Sequence, residues 1–373
     1  MKSAIFRPEW YTEASYFYKE KENLFNRVWN LSGFTNSVKS PGDFFTLQIF
    51  NQEIVVHNIA GKLRAYLNVC PHRGGPLVVE KFGNGAPVCK YHGWSFRDGG
   101  DLTGVSNIEW FNNGGEKDSC GKSLKTYPLT TIGPFIFIFI GCNPIPIDLQ
   151  FSKEVIETLS SYEELSASIT SEFEANFNWK LNMENVKDFL HPYYVHEQSF
   201  KPLLGFEQAA TILMKKSDKV PGEFYKKTTL KELSFIQRGE FSVSASQRWW
   251  TKFIKITQPD NCFQNIFLFP NVNMYSVSGT HYVVQQYLPM SPNKFLYRLN
   301  VSFPEILEKF ESKDLLCNLL EIERNVIRED EIVLDRLQKS MEAKMSEEHF
   351  AHGDYENYIM EQQIYMRDEV YFE

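Results

Sequence analysis

The spacing of hydrophobic and polar residues divides the chain into regions of different character. Between about 42 and 145, short apolar runs such as FFTLQIF, EIVVHNI and LRAYLNV are separated by Gly, Asn and Pro, which is the pattern of a small all-β unit. Residues 12–30 have helical spacing, and a second helical stretch follows at about 152–166. Strand-like segments return between about 205 and 303, and the remainder is largely helical. The pattern predicts the α+β class.

Length and linker composition suggest where these regions divide. A chain of 373 residues is too long for one ordinary hydrophobic core. The segment NPIPIDL, which begins at Asn143, has the Pro-rich composition of a linker. We therefore expect an N-terminal helical segment over 1–41 that packs on the last domain, an all-β domain over 42–148, and a larger domain over 149–373.

Charge and hydropathy exclude several classes of partner. The net charge is −8 and no long basic run is present, so no nucleic-acid partner is expected. The N-terminal residues lack the apolar stretch of a secretory signal. The most apolar run, IGPFIFIFIG at 132–141, is too short to cross a bilayer and is predicted to be a buried strand. A cytoplasmic protein without a membrane partner is expected.

Two cysteines and two histidines lie close together in CPHRGGPLVVEKFGNGAPVCKYHGW, residues 70–94. Cys70 and His72 form a C-x-H pair, and Cys89 and His92 form a C-x-x-H pair. A structural zinc site of the Cys₂His₂ type is chemically feasible, but the usual zinc finger places both cysteines together and both histidines together. One cysteine and one histidine from each loop instead favour a Rieske [2Fe–2S] cluster, in which two thiolates bind one iron and two imidazoles bind the other.

A second group of metal ligands is predicted in NWKLNMENVKDFLHPYYVH, residues 178–196. His191 and His196 would diverge on an unbroken helix. Pro192 disfavours helical geometry at the preceding residue, so that His196 can turn back toward His191. Two histidines and a carboxylate with open coordination positions form the facial triad of non-haem Fe(II) oxygenases. The carboxylate must come from another part of the chain.

The C-terminal helical region offers this carboxylate. Asp330 interrupts an apolar stripe with steps of three, four or seven residues, where an unpaired charge is expensive to bury and a metal would compensate it. Glu323 falls on the same stripe and is the competing candidate, whereas Glu329 points away from it. The stripe consists of Leu316, Leu320, Ile327, Asp330, Leu334, Leu337 and Met341.

With these two constellations, the chain resembles the catalytic (α) subunits of Rieske non-haem iron oxygenases, also called the aromatic-ring-hydroxylating dioxygenase family. The resemblance covers nearly the whole length. It includes PEWYTEASYFYKEKENLFNRVW at 8–29, which is similar to the N-terminal helix of the family, and FPN at 269–271. Glu329, Asp330 and Gln338 follow in the order of the family's terminal ED…Q motif.

The resemblance implies a structure and roles for individual residues. It implies a Rieske domain and a helix-grip (START-like) catalytic domain with an antiparallel sheet and a long C-terminal helix. Subunits would form a head-to-tail homotrimer, in which the cluster of one subunit lies beside the mononuclear iron of its neighbour. His191, His196 and Asp330 would bind that iron. Asp188 would bridge a cluster histidine to an iron ligand across the interface, and Asn185 would lie near the iron.

The implied activity is that of a terminal oxygenase. An NAD(P)H-dependent reductase, directly or through a ferredoxin, would reduce the cluster, and the mononuclear Fe(II) would activate O₂. The product would be a hydroxylated, dihydroxylated or demethylated small aromatic or quaternary-amine molecule. Two alternatives stay open: a Rieske electron-transfer protein without a functional mononuclear iron, and a structural zinc protein.

Aromatic residues between about 200 and 300 are candidates for lining a substrate pocket. Such a lining can hold a ring by stacking or a trimethylammonium group by cation–π attraction. No basic pair stands out as a carboxylate clamp, although Arg248, Lys252 and Lys255 lie in this region. The aromatic candidates are Phe200, Phe206, Trp249, Trp250, Phe263, Phe267, Phe269 and Tyr275.

Overall fold

The computed structural model of the chain contains two compact units. It describes residues 2–3, 7–111, 122–162, 165–188, 190–199, 228–240, 248–343, 351–353 and 356–372. One unit is Asn26–Pro144, and the other combines Met1–Phe25 with Ile145–Glu373. We call them the β unit and the catalytic unit. Phe200 and Phe206, two of the predicted pocket residues, lie outside the described residues.

The β unit begins earlier than the sequence pattern suggests. Residues 26–41 were expected to belong to the N-terminal helical segment, but they are part of this unit. The physical reason is strand pairing. Trp29–Phe34 runs antiparallel to Phe135–Phe139 and is the edge strand that satisfies the backbone hydrogen bonds on one side of this apolar strand. Phe135–Phe139 lies between two partners and all five of its residues are buried, which confirms the predicted buried strand.

Among the residues of the β unit that the structure describes, three antiparallel sheets are present. The strands of each sheet are given in the order in which they pair. The five-stranded sheet consists of Phe82–Asn84, Asp43–Ile49, Gln52–Ile59, Lys62–Leu67 and Thr126–Tyr127. The three-stranded sheet consists of Leu129–Ile132, Phe135–Phe139 and Trp29–Phe34, and the two-stranded sheet pairs Ser95–Phe96 with Leu102–Gly104.

The catalytic unit combines one large antiparallel sheet with helices. The sheet order is Ala167–Ala175, Lys294–Phe303, Tyr282–Ser291, Val272–Val277, Cys262–Leu268 and Phe235–Glu240. A small sheet pairs Lys2–Ser3 with Ala351–His352. The helices are Glu9–Thr12, Ala14–Asn23, Lys153–Ser161, Trp179–Asn185, His191–Val195, Ser312–Glu342, Asn357–Tyr365 and the π-helical Met366–Tyr371. None of the described helices is long and apolar enough to cross a membrane. The predicted α+β class is confirmed.

The long helix Ser312–Glu342 packs through one face. Its buried residues recur at steps of three, four or seven, as an amphipathic helix requires: Leu316, Leu319, Glu323, Ile327, Leu334, Gln338 and Met341. Gln338, rather than the expected Leu337, is buried near the C-terminal end. Its amide donates to the Tyr11 carbonyl at 3.1 Å and accepts from the Asn178 backbone N–H at 2.9 Å. The long helix is thereby joined to the start of the helix Trp179–Asn185.

A buried ion pair fixes the same helix from its other side. Lys180 and Glu20 are almost completely buried, and Lys180 Nζ lies 2.5 Å from Glu20 Oε1. Glu20 also accepts hydrogen bonds from Trp179 Nε1 at 2.8 Å and from the Tyr371 hydroxyl at 2.6 Å. Lys180 additionally donates to the Trp10 carbonyl at 2.8 Å. Each charge in this pair is therefore compensated, and the N-terminal helices are held against the helix that precedes the histidine segment.

Removing one member of this pair should destabilise the catalytic unit. Lys180→Met leaves Glu20 as a buried charge without its cation, which typically costs about 3–5 kcal/mol. We expect a loss of this size in the free energy of unfolding, measured by urea denaturation with tryptophan fluorescence. Lys153→Met is the matched control, because Lys153 is exposed and its Glu157 partner is 3.6 Å away. The control should lose less than about 1 kcal/mol; equal losses would contradict the assigned role.

Candidate metal centres

Two loops of the β unit, which share the same glycine turn, carry the cysteine–histidine pairs. In the first loop the Gly74 backbone N–H donates to the Cys70 carbonyl at 2.9 Å, and in the second the Gly93 N–H donates to the Cys89 carbonyl at 3.0 Å. Gly74 and Gly93 have φ values of +74° and +69°, a left-handed conformation that favours glycine. The repeated turn places each cysteine four residues before its glycine, whereas the histidine follows the cysteine by two residues in the first loop and by three in the second.

The two loops approach each other at their cysteines. A Cβ atom on Gly75 would lie 2.8 Å from Tyr91 Cβ and 3.1 Å from Cys89 Sγ, so only glycine fits between the loops. Cys70 and Cys89 are both buried. Burial raises the pKa of Cys70 to about 11, against the lowering by a hydrogen bond from the His72 backbone N–H, and the Cys89 thiol adds a smaller increase. A bound metal would supply the positive charge that two buried thiolates need.

The two histidines face each other in the same region. Their ring centroids are 4.7 Å apart, with an interplanar angle of 70°. Trp94 stacks on His72 at 4.6 Å and 7°, which covers one face of that imidazole. Burial, the nearby His92 and Arg73 lower the pKa of His72, so the ring is in the neutral form that binds metals.

These four residues do not converge on a single point. Among the described residues, the group of three or more His, Cys, Asp or Glu side chains whose ligand atoms all lie within 4.8 Å of one another is His191, His196 and Asp330, in the catalytic unit. In the β unit, thiol faces thiol and imidazole faces imidazole. This paired arrangement fits a cluster of two irons with different ligands better than one tetrahedral zinc.

His191, His196 and Asp330 point their ligand atoms at a common position. Asp330 Oδ1 lies 3.5 Å from His191 Nε2 and 3.4 Å from His196 Nε2. Ligand atoms about 2.1 Å from one ion, at angles between octahedral and tetrahedral, are separated by about 3.0–3.4 Å. The spacing therefore fits one divalent ion. The structure brings Asp330, and not Glu323, to the two histidines.

The other nitrogen of each imidazole fixes the tautomer. His191 Nδ1 donates to the Asp188 carbonyl at 2.8 Å, and His196 Nδ1 donates to Glu329 Oε2 at 2.9 Å. Both Nε2 atoms are therefore unprotonated and able to bind a metal. Burial and the neighbouring His196 lower the pKa of His191 to about 3, although the Asp188 carbonyl opposes this. At neutral pH His191 is uncharged and able to bind a metal.

Burial acts in the opposite direction on the carboxylate. It raises the pKa of Asp330 to about 6, while His196 and a hydrogen bond from Asn185 oppose the shift. The Asn185 amide nitrogen also lies 3.4 Å from His191 Nε2. Burial likewise raises the pKa of Asp188, whose Oδ1 accepts the Leu190 backbone N–H at 2.8 Å. Asn185 and Asp188 thus both border the histidine–carboxylate group.

The sequence pattern missed the role of Glu329. This residue lies off the buried stripe, as expected, but its carboxylate accepts hydrogen bonds from His196 and from Ser199 Oγ at 2.5 Å. Partial burial raises the pKa of Glu329, but the hydrogen bonds from Ser199 and His196 outweigh this and hold it below its usual value. Successive helical residues differ by about 100° in direction, so adjacent acids can contact His196 from two sides. The sequence feature that could have indicated this role is the pair of adjacent acids Glu329 and Asp330, of which Asp330 lies on the apolar stripe.

The described aromatic residues that were predicted to line a pocket differ in their exposure and in the residues that they contact. Trp249 is 69% exposed, whereas Phe267 and Phe269 are buried and contact Phe235 and Tyr365. Trp250 contacts Phe303, and Phe263 lies 6.1 Å from Tyr275. Tyr275 differs from the others because its hydroxyl donates to the Glu323 carboxylate.

The contact between His196 and Glu329 predicts an effect on metal affinity. Glu329→Ala removes the acceptor that orients the imidazole, and loss of such a partner typically weakens metal binding about 10–100-fold. Titration of the metal-depleted protein with Co(II), followed by absorbance, measures this. Glu321→Ala is the control, because Glu321 lies on the same helix but is exposed and pairs with Arg328 at 3.3 Å. Equal affinities of the two variants would show that Glu329 does not support the site.

Comparison with known proteins agrees with both centres. Residues 28–128 match the family model of the Rieske [2Fe-2S] domain. The glycine betaine monooxygenase oxygenase subunit of Pseudomonas aeruginosa is 30% identical over 205 residues, covering 53% of this chain and 46% of the relative. The chloroplastic choline monooxygenase of Atriplex hortensis is 24% identical over 350 residues, covering 89% of this chain and 70% of the relative. Thus the match spans about half the length of the first relative.

Solved structures show the same fold. The quaternary ammonium Rieske monooxygenase CntA in complex with L-carnitine has a TM-score of 0.72 at 21% identity, covering 98% of this chain and 95% of that one. Naphthalene 1,2-dioxygenase from Rhodococcus sp. has a TM-score of 0.71 at 13% identity, covering 98% and 94%. The family model of the ring hydroxylating alpha subunit (catalytic domain) matches residues 160–371, more than half of the chain. The chain therefore belongs to the ring-hydroxylating alpha subunit family, with a Rieske domain ahead of its catalytic domain.

Proposed function

We propose that this protein is the terminal oxygenase component of a Rieske-type system, which uses O₂ and reductase-derived electrons to oxidise a small organic molecule. One observation carries the proposal: His191, His196 and Asp330 converge with both Nε2 lone pairs available, inside a catalytic domain of this family. An electron carrier that had lost its second iron would have no need of this arrangement.

Family membership implies a Rieske [2Fe–2S] cluster and a mononuclear iron. Cys70, Cys89, His72 and His92 are the proposed cluster ligands, and their pairing supports this assignment. When bound, the cluster supplies single electrons and the iron supplies activation of O₂. Two electrons and two protons balance a monooxygenation, in which a C–H bond becomes C–OH and the second oxygen atom leaves as water.

The protein residues contribute position and charge. The Asp188 carbonyl and the Glu329 carboxylate hold the two imidazoles in the neutral, metal-binding tautomer. Asp330 adds one negative charge, and Asn185 donates a hydrogen bond to it. The Asp188 carboxylate is held by the Leu190 N–H, and we propose that its remaining oxygen meets a cluster histidine of a neighbouring subunit.

Quaternary amines are the proposed substrate class. The relatives include proteins named glycine betaine, choline and carnitine monooxygenases, and the names support a cationic substrate more directly than an aromatic hydrocarbon. The electron donor is proposed to be an NAD(P)H-dependent reductase, acting directly or through a ferredoxin. Oxygen uptake with such a reductase, screened against quaternary amines and aromatic acids, tests this assignment.

Metal content separates this function from its alternatives. The purified protein should contain about three irons per chain, of which two occur with acid-labile sulfide. Two irons with sulfide would instead indicate an electron carrier, and zinc without sulfide would exclude both iron centres. His191→Ala should abolish turnover while it preserves the visible absorbance and the rhombic paramagnetic signal of the cluster. Activity that survives this substitution would contradict the proposed iron site.

A head-to-tail homotrimer is part of the proposal, and complementation can test it. Cys89→Ala should lose the cluster and His191→Ala the mononuclear iron, so each variant alone should be inactive. Co-expression should restore turnover, because a mixed oligomer contains an intact cluster beside the intact iron of a neighbour. Cys142→Ala is the control for cysteine removal, since Cys142 is exposed. No recovery in verified mixed oligomers would indicate electron transfer within one chain.

A further inference from the structure

Tyr275 and Glu323 form a hydrogen-bonded pair that the proposed iron site does not use. The hydroxyl of Tyr275 donates to the Glu323 carboxylate. Tyr275 lies on the strand Val272–Val277 of the large sheet, and Glu323 lies on the buried face of the long helix Ser312–Glu342. The pair therefore joins the sheet to the helix that carries Asp330.

The pair is near the three side chains that converge for a metal. Glu323 precedes Asp330 by seven residues on the same helix, which corresponds to about 10 Å along its axis. Burial and the charge of Glu323 raise the pKa of Tyr275 well above its ordinary value, and the charge of Asp330 adds to the rise. The phenol therefore keeps its proton in the resting protein and lies within the electrostatic reach of Asp330.

Two other tyrosines on the same face of the sheet have weaker proton acceptors. Tyr287 and Tyr297 are paired on the next two strands, and the charge of Asp330 adds to the burial that raises the pKa of both. The Tyr287 hydroxyl donates to Gln285 Oε1 at 2.9 Å, and the hydroxyls of Tyr287 and Tyr297 are hydrogen-bonded to each other. An amide and a phenol are much weaker bases than a carboxylate, so Tyr275 has the best proton acceptor of the three.

The acceptor matters because a phenol that loses one electron becomes strongly acidic. The electron leaves readily only when the hydroxyl proton can move at the same time to a base. The Glu323 carboxylate already accepts the hydrogen bond, so it can take this proton without a rearrangement of the side chains. Burial raises the pKa of Glu323 to about 7, against the hydrogen bond from Tyr275, which makes it a stronger base than an ordinary carboxylate.

We propose that Tyr275 and Glu323 are a redox-active pair that supplies one electron when the mononuclear iron site is oxidised without substrate. Tyr275 loses one electron and its hydroxyl proton, the proton moves to the Glu323 carboxylate, and a neutral phenoxyl radical remains. With hydrogen peroxide as the oxidant, Fe(II) supplies one electron and Tyr275 the other, and two protons from solvent complete its conversion to two waters. The inference rests on the proposed iron site and adds a protective function, which spares His191 and His196 from oxidation.

Electron paramagnetic resonance of freeze-quenched samples tests the pair without turnover. The holoprotein, with Fe(II) and an oxidised cluster, is mixed with hydrogen peroxide at about pH 8.5, above the raised pKa of Glu323, and frozen. We expect an organic-radical signal whose hyperfine pattern narrows when the protein contains ring-deuterated tyrosine. Tyr275→Phe should lose this signal because the phenol is absent, and Glu323→Gln should lose it because an amide does not accept the proton.

Tyr287→Phe is the matched control, because Tyr287 is on the same face of the sheet but donates to an amide, and it should keep the signal. Ring deuteration tests the wild-type protein itself, so the experiment is decisive even if one variant does not fold. The pair would be overturned by a wild-type protein without the signal or by a signal that ring deuteration leaves unchanged. A Tyr275→Phe or Glu323→Gln protein that keeps the signal would also overturn it, as would a Tyr287→Phe protein that loses it.

The protective function has a second readout in the iron ligands. After exposure to peroxide without substrate, peptide mass spectrometry measures the addition of oxygen to His191 and His196. Tyr275→Phe and Glu323→Gln should accumulate this modification faster than the wild-type protein and Tyr287→Phe, because the electron from the phenol is missing. Equal rates in all four proteins would reject the protective function.

Iron analysis of the same samples distinguishes this inference from the proposed function. Full iron content and His191-dependent turnover, combined with the absence of a radical that depends on Tyr275, would reject the pair alone. A protein that does not hold the mononuclear iron would reject the oxygenase and the pair together.

Discussion

The charge of Asp330 is the constraint around which the catalytic unit is arranged. Burying a carboxylate on the packed face of a helix is costly unless positive charge compensates it. Among the described residues, the Nε2 atoms of His191 and His196 lie 3.5 and 3.4 Å from the Oδ1 atom of Asp330, and Asn185 donates a hydrogen bond to the carboxylate. Neutral imidazoles do not cancel a charge, but a divalent ion between the three ligands would. The buried pair of Lys180 with Glu20 holds the helix that leads to these histidines.

The two units build their centres in different ways. In the β unit each loop is a local turn, and the same hydrogen bond from a left-handed glycine to a cysteine carbonyl occurs in both. In the catalytic unit the histidines and the carboxylate come from segments more than 130 residues apart, and Gln338 joins these segments through Asn178. Local turn geometry can therefore be predicted from sequence more readily than the convergence of two distant helices.

Glu323 and Asp330 illustrate how similar positions acquire different roles. Both lie on one face of the long helix, separated by two turns, and both have a pKa raised by burial. The two acids differ in the side chains that contact them. Histidines lie beside Asp330, whereas the hydroxyl of Tyr275, on a strand of the large sheet, donates to Glu323. A helical stripe contains no information about the element that packs against it, so periodicity left both acids as candidates.

The sequence alone determined the α+β class and the buried strand Phe135–Phe139, and it predicted the two groups of candidate ligands, because periodicity and residue spacing are local properties. Pairing of Trp29–Phe34 with that strand moved the unit boundary to Asn26, since partners distant in sequence complete the sheet. Only the tertiary structure decided between Asp330 and Glu323 as the acid beside the histidines, and revealed Glu329 as the acceptor for His196. These choices depend on distances between side chains of packed elements, which no single segment encodes.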